Sequence, residues 1–205
     1  MHRLGNPGGI FLSKELSVQL VPAAAPAVWL RTAGIVLAGS TLIAISAHIA
    51  LPLYFTPVPL TLQPLAVLVL ALLLSPRLAA ATLVTYLAEG ALGLPVFTPS
   101  PAIAGLAHLF GPTGGYLLAY PLAAAVISFL WRRTGRGFAA AAISATAGNL
   151  IILASGALWL AALTHASVSA VLAMGVLPFL PGDALKIAAA AALATGVNRL
   201  RRRTV

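Results

Sequence analysis

Asp183 and Lys186 stand three positions apart in FLPGDALKIAAAAALA, residues 179–194, where almost every other side chain is hydrocarbon. An acid and a base at this spacing share one face of a helix. Together they offer a carboxylate that accepts hydrogen bonds and an ammonium that donates them. The turn-forming Pro-Gly before Asp183 suits it to an N-cap or first-turn position, so a capping acid is the plain alternative to a binding role. Lys186 does not fit that alternative, because a cation near a helix N-terminus opposes the helix dipole. A paired ionisable couple inside an apolar helix marks a candidate functional site.

Three further stretches carry polar groups. FGPTGGYLLAY (110–120) places Thr113, Gly114, Gly115 and Tyr116 at a turn entering a helix. Backbone N–H groups at such an end can receive an anion or a polar ligand, and paired glycines serve equally for close helix packing. YFTPVPLTLQ (54–63) joins a Pro-rich loop containing Phe55 to Gln63, which can bond a ligand or a neighbouring helix. Tyr86 and Glu89 fall toward the end of a third helix, where Glu89 either lines a pocket or meets water. Asn149 reads as a residue that holds two helices together. His48, His108 and His165 show no metal-ligand spacing, so no metal site is expected. No G-x-x-x-x-G-K-[ST], G-x-S-x-G or H-E-x-x-H motif occurs, which excludes ATP hydrolysis and the familiar hydrolases by those routes.

The elements that must position these residues are membrane helices. Of 205 residues, 60% are hydrophobic and only 7% charged, against about a quarter charged in soluble domains. The mean hydropathy is +1.03. There is no cysteine, hence no disulfide, thiolate metal site or cysteine nucleophile. Six apolar stretches, 33–51, 60–75, 77–93, 114–131, 138–164 and 182–198, predict an all-α membrane protein of six transmembrane helices. Residues 1–32 read as a cytoplasmic N-terminal lead, since Gln19, Pro22 and Pro26 interrupt any signal-peptide core. Residues 33–198 form one six-helix domain, and 199–205 a basic cytoplasmic tail.

The net charge of +9 comes from 12 basic and 3 acidic residues. In a soluble chain this would suggest nucleic acid. Here the arginines fill the short gaps on one side (Arg77; Arg132, Arg133 and Arg136) and flank the first and last spans (Arg31; Arg199, Arg201, Arg202 and Arg203). The three gaps on the other side contain neither Lys nor Arg. The positive-inside rule then puts both termini in the cytoplasm and the Pro-rich gaps outside. The implied partner of the basic side is the lipid bilayer, with no nucleic acid. Irregular backbone at membrane depth is tolerated where it lines a cavity, so the outer gaps and Asp183 predict a pocket open to the outside.

FTPVPLTLQ (55–63), GALGLPVF (90–97), GPTGGYLLAY (111–120) and GVLPFLPGDALK (175–186) resemble the BioY family, the biotin-binding S component of energy-coupling-factor transporters. The resemblance runs in order from about residue 33 to 198. It implies a six-helix S-component fold in the cell membrane that captures biotin from outside and is not an enzyme. It also implies a transmembrane coupling subunit and two cytoplasmic ATPases as partners, with ATP used by those ATPases and no cofactor in this chain. Asp183, Lys186, Gln63, Tyr86, Glu89, Thr113, Gly114, Gly115, Tyr116 and Phe55 are the substrate-binding residues this implies. Asp183 would accept from the ureido N–H groups of biotin, Lys186 would donate to the ureido oxygen, and the tail carboxylate would reach water or the Gly114-Gly115 amides. Small residues of the first helix would meet the coupling subunit: Gly34 and Ala38, with Ser40 and Ala44 at the same spacing. The chain departs from the family pattern in TPSPAIAGLAHLF, where Thr98 or Ser100 would replace a usual Asn, and at Glu89, where an apolar residue is expected. The alternatives are an S component for another vitamin, a self-sufficient ion-coupled transporter using Glu89, Asp183 and Lys186 as a relay, and a membrane-embedded enzyme.

Overall fold

The computed structural model describes residues 26–100 and 103–203; residues 1–25 of the expected lead and the last two of the expected tail lie outside them. The chain forms, in order, α1 (Pro26–His48), β1 (Ala50–Leu51), β2 (Leu60–Thr61), α2 (Gln63–Leu73), α3 (Pro76–Ala91), α4 (Leu106–Leu109), α5 (Gly114–Arg133), α6 (Phe138–Thr164), α7 (Val168–Gly175) and α8 (Leu180–Arg203). A helix thus occupies each of the six apolar stretches. Four of them, α1, α5, α6 and α8, are long and apolar enough to cross a membrane. Leu, Ile, Val and Phe side chains stand exposed along their outer faces, among them Leu37, Ile45, Phe129, Ile143, Leu158 and Leu193. Such surfaces belong in lipid, and the chain is an integral membrane protein.

Element boundaries differ from the sequence reading at most helices. The first helix starts at Pro26 rather than 33, because proline is tolerated in a first turn, where its missing N–H has no partner to lose. The last helix starts at Leu180 and continues through Arg203, so most of the expected tail is helical. Short elements occupy the loop side. The β1–β2 hairpin, paired antiparallel with Ala50 opposite Thr61, takes the adjoining ends of two stretches read as helical, 33–51 and 60–75, so that α1 stops at His48 and α2 begins at Gln63. The helices α4 and α7 fill gaps the hydropathy left blank.

Packing centres on α5, which contacts α6, α3 and α2, while α8 lies against α2 and α6 and α1 against α3 and α2. Small residues allow the close approaches. A Cβ on Gly148 of α6 would lie 2.3 Å from Ile127 of α5, and one on Gly156 would lie 2.1 Å from the Tyr116 ring. Gly39 of α1 faces Thr82 of α3 in the same way. Without hydrophobic exclusion to drive helix pairing in lipid, these contacts supply the van der Waals complementarity that does.

Candidate functional site

The loop side of the bundle holds a cavity with about 580 Å³ of unfilled space, part of it open to solvent. Its walls come from the start of α2, the α3–α5 connection, the start of α5, the middle of α6 and the start of α8. Most of the lining is apolar, with a few convergent polar groups: Gln63, His108, Thr113, Asn149, Asp183 and Lys186. That is the make-up of a small-molecule site.

Asp183 and Lys186 sit at the heart of it, both buried, with 5% and 7% of their surface exposed. Lys186 Nζ donates to Asp183 Oδ1 at 3.2 Å. Asn149 Nδ2 donates to Asp183 Oδ2 at 3.0 Å from α6. Each carboxylate oxygen has one partner and keeps room for another, and the ammonium has donors to spare. Asp183 is not a cap: α8 begins three residues earlier, the Asp183 N–H already bonds Phe179 O, and its side chain points across to α6. An ion pair this deep is costly to assemble and costlier to break by removing one member, since the survivor is left uncompensated.

The polar groups around this centre are held by further bonds. Gln63 Nε2 donates to Tyr86 Oη at 2.5 Å, and Tyr86 Oη donates to Val96 O at 3.1 Å. Tyr86 is fully buried and stands behind Gln63 rather than on the cavity wall. Phe97 meets the Tyr86 ring edge-on and stacks on His108 at 5.1 Å, a packing possible because Gly90 leaves space for the Phe97 ring. Burial holds the His108 imidazole below its ordinary value of 6.5, against an opposing hydrogen bond with the Ile103 backbone. Tyr116 lines the cavity and ties α5 to the end of α7 through Gly175 O, at 2.7 Å. Thr113 Oγ1 is buried on the cavity side of α5 with no hydrogen-bond partner. An unmatched buried hydroxyl is unfavourable unless something else bonds it.

Other candidates lie elsewhere. Gly114 and Gly115 do not line the cavity. A Cβ on Gly114 would strike Leu109 O at 2.0 Å and one on Gly115 would strike Trp159 at 2.1 Å, so the pair serves helix packing. The Gly114 N–H is bonded to Gly111 O. Glu89 accepts a hydrogen bond from Ser40 Oγ between α3 and α1, away from the cavity. Phe55 is exposed in the β1–β2 loop and is not part of the wall. Thr98 lines the cavity and Ser100 stands in an adjoining crevice. Gly34 and Ala38 are exposed on α1, whereas Ser40 is buried against α3.

Asn149 is the residue whose role the sequence reading understated: it does join two helices, but at the carboxylate that faces the cavity. Tyr120, Phe179 and Ile152 also form wall. Nothing in their types or spacing singles them out from the buried apolar residues around them.

The family model described as the BioY family matches residues 17–203. The chain is 38% identical over 138 residues to a probable biotin transporter BioY of Pyrococcus horikoshii, covering 67% of this chain and 79% of the relative. It is 37% identical over 161 residues to the biotin transporter BioY of Thermotoga maritima, covering 78% and 92%. Among solved structures, the S-component for biotin from an ECF-type ABC transporter superposes with a TM-score of 0.77 at 24% identity, over 86% of this chain and 95% of that one. That likeness establishes a shared fold.

Proposed function

The chain belongs to the BioY family, and from that premise we propose that it captures biotin from outside the cell as the substrate-binding subunit of an ECF-type transporter. The observation that carries this reading is the buried Asp183–Lys186–Asn149 cluster inside a mostly apolar cavity. Biotin presents a ureido ring with two N–H donors and one C=O acceptor, on apolar rings and an apolar tail. The free acceptor sites of Asp183 take the N–H groups, and Lys186 donates to the ureido oxygen. Each such charge-assisted bond contributes about 1.5–3 kcal/mol. Gln63, steadied by Tyr86, and the unpartnered Thr113 hydroxyl give two further contacts. Tyr116, Tyr120, Phe179 and Ile152 enclose the rings, and the tail runs toward Thr98 and His108 near the loops.

In this reading the six helices cross the cell membrane, with α2 and α3 as short crossings, and the arginine-rich ends and both termini face the cytoplasm. A transmembrane coupling subunit and two ATPases supply the energy, consistent with a chain that has no phosphate loop. Gly34 and Ala38 present a smooth exposed stripe on α1 suited to a close helix partner. The ion-relay alternative is disfavoured by the separation of Glu89 from the cavity.

Equilibrium binding of labelled biotin to the purified chain tests the proposal, with other vitamins as competitors. Saturable binding displaced by unlabelled biotin alone is expected. Displacement by another vitamin at lower concentration would reassign the substrate, and no binding by a folded chain would refute the reading.

A further inference from the structure

The opposite end of the bundle holds a second polar groove, with about 350 Å³ of unfilled space, part of it open to solvent. Arg132 at the end of α5, Arg136 in the α5–α6 link and Arg201 in the last turn of α8 line it, together with Trp131 and the aliphatic Leu72 and Leu73 at the end of α2. The groove exists because α2 is short. Eleven residues span about 16 Å, so α2 stops while α5 and α8 continue past it.

Complementing helix C-terminal dipoles accounts for Arg132 and Arg201. It does not account for Arg136, which belongs to no helix. Arg136 holds φ at 54°, in the left-handed region that L side chains rarely adopt, although glycines stand on both sides of it. Asn198 Nδ2 of α8 reaches its carbonyl oxygen at 3.5 Å. A strained residue persists where its surroundings determine its position, and such residues concentrate at functional sites. The two carboxylates among the described residues are committed elsewhere, Glu89 with Ser40 and Asp183 with Lys186 and Asn149.

We propose that this groove binds the phosphate of an anionic phospholipid headgroup, with Arg132 and Arg136 as its principal donors. Guanidinium groups match phosphate oxygens in planar, paired hydrogen bonds. Leu73 and Val197, both half-buried at the groove, would then meet the first carbons of the lipid chains. A free phosphate ion has no use for those aliphatic walls, which is why the lipid is favoured. Basic pockets between membrane helices on the cytoplasmic side are suited to such headgroups.

The test uses the full chain in detergent, supplemented with phosphatidylglycerol, phosphatidylcholine or inorganic phosphate. Native mass spectrometry reads retained lipid, and thermal unfolding reads stabilisation. Phosphatidylglycerol should be retained and should raise the unfolding midpoint, with little response to phosphatidylcholine. The double variant Arg132→Gln/Arg136→Gln should retain phosphatidylglycerol about tenfold less well. Arg136→Gly separates the site from the fold. Glycine relieves the left-handed backbone, so this variant should be at least as stable as the parent without lipid, yet lose most of the phosphatidylglycerol response. If the double variant does not elute as a folded protein, Arg136→Gly decides alone. An undiminished response in Arg136→Gly, an equal response to phosphatidylcholine, or inorganic phosphate reproducing the shift and displacing the lipid would each overturn the proposal.

Discussion

The two ends of α8 carry charge in opposite ways. At its start, Asp183 and Lys186 are buried, bonded to each other and joined by Asn149 from α6. At its end, Arg199, Arg201, Arg202 and Arg203 stand exposed, all of one sign. The difference follows from the surroundings. Inside an apolar bundle a charge is retained only where an opposite charge and hydrogen bonds offset its desolvation. At the membrane surface long arginine side chains keep their heads in water or among phosphates. One end therefore forms a small, neutral and directional site, and the other a broad positive surface.

Four measurements would break or sharpen this contrast. The largest effect is all or none. A cysteine at Gly135, where an added Cβ meets nothing within 4 Å, would be the chain's only thiol. In intact cells it should react with an impermeant reagent only after permeabilisation. Labelling from outside would invert the two ends and remove the importer reading.

Next comes the buried pair. Asp183→Asn and Lys186→Met should each weaken biotin binding at least about thirtyfold, roughly 2 kcal/mol. The double variant should lose less than the sum, because no lone charge remains. Strict additivity in well-folded variants would show that the two side chains do not act as a unit.

A smaller effect concerns pH. Burial lowers the His108 proton affinity in the folded chain, so the unfolded chain binds a proton first as pH falls. Stability should therefore be at its plateau above the ordinary value of 6.5 and decline as pH drops from there toward the lower folded value. The thermal midpoint followed from pH 8 downward should show this decline, and His108→Gln should flatten it. An unchanged profile in the variant would assign the decline to other groups.

The smallest effect is expected in the divergent loop. Ser100 stands beside the cavity rather than in its wall. Ser100→Ala should change biotin affinity by less than about threefold, within 0.7 kcal/mol. A tenfold loss would extend the site into that loop.

Asp183 and Lys186 were legible without a structure because ionisable residues are so costly in an apolar helix that their presence is itself a signal, and a spacing of three fixes their common face. The helices were legible for a similar reason: long apolar stretches have one stable form in lipid, with every backbone group bonded within the segment. Roles that depend on a distant neighbour were not. Asn149 meets Asp183 across 34 positions of sequence, and only the packing of α6 on α8 turns a polar residue in a helix into part of the site. Glu89 is drawn away by Ser40 of α1, and Gly114 and Gly115 by Leu109 and Trp159. The sequence by itself determined which side chains could carry charge and on which helix face. The tertiary structure decided which of them share a cavity, because hydrogen bonds and close packing act over a few ångströms, and only the fold sets those distances.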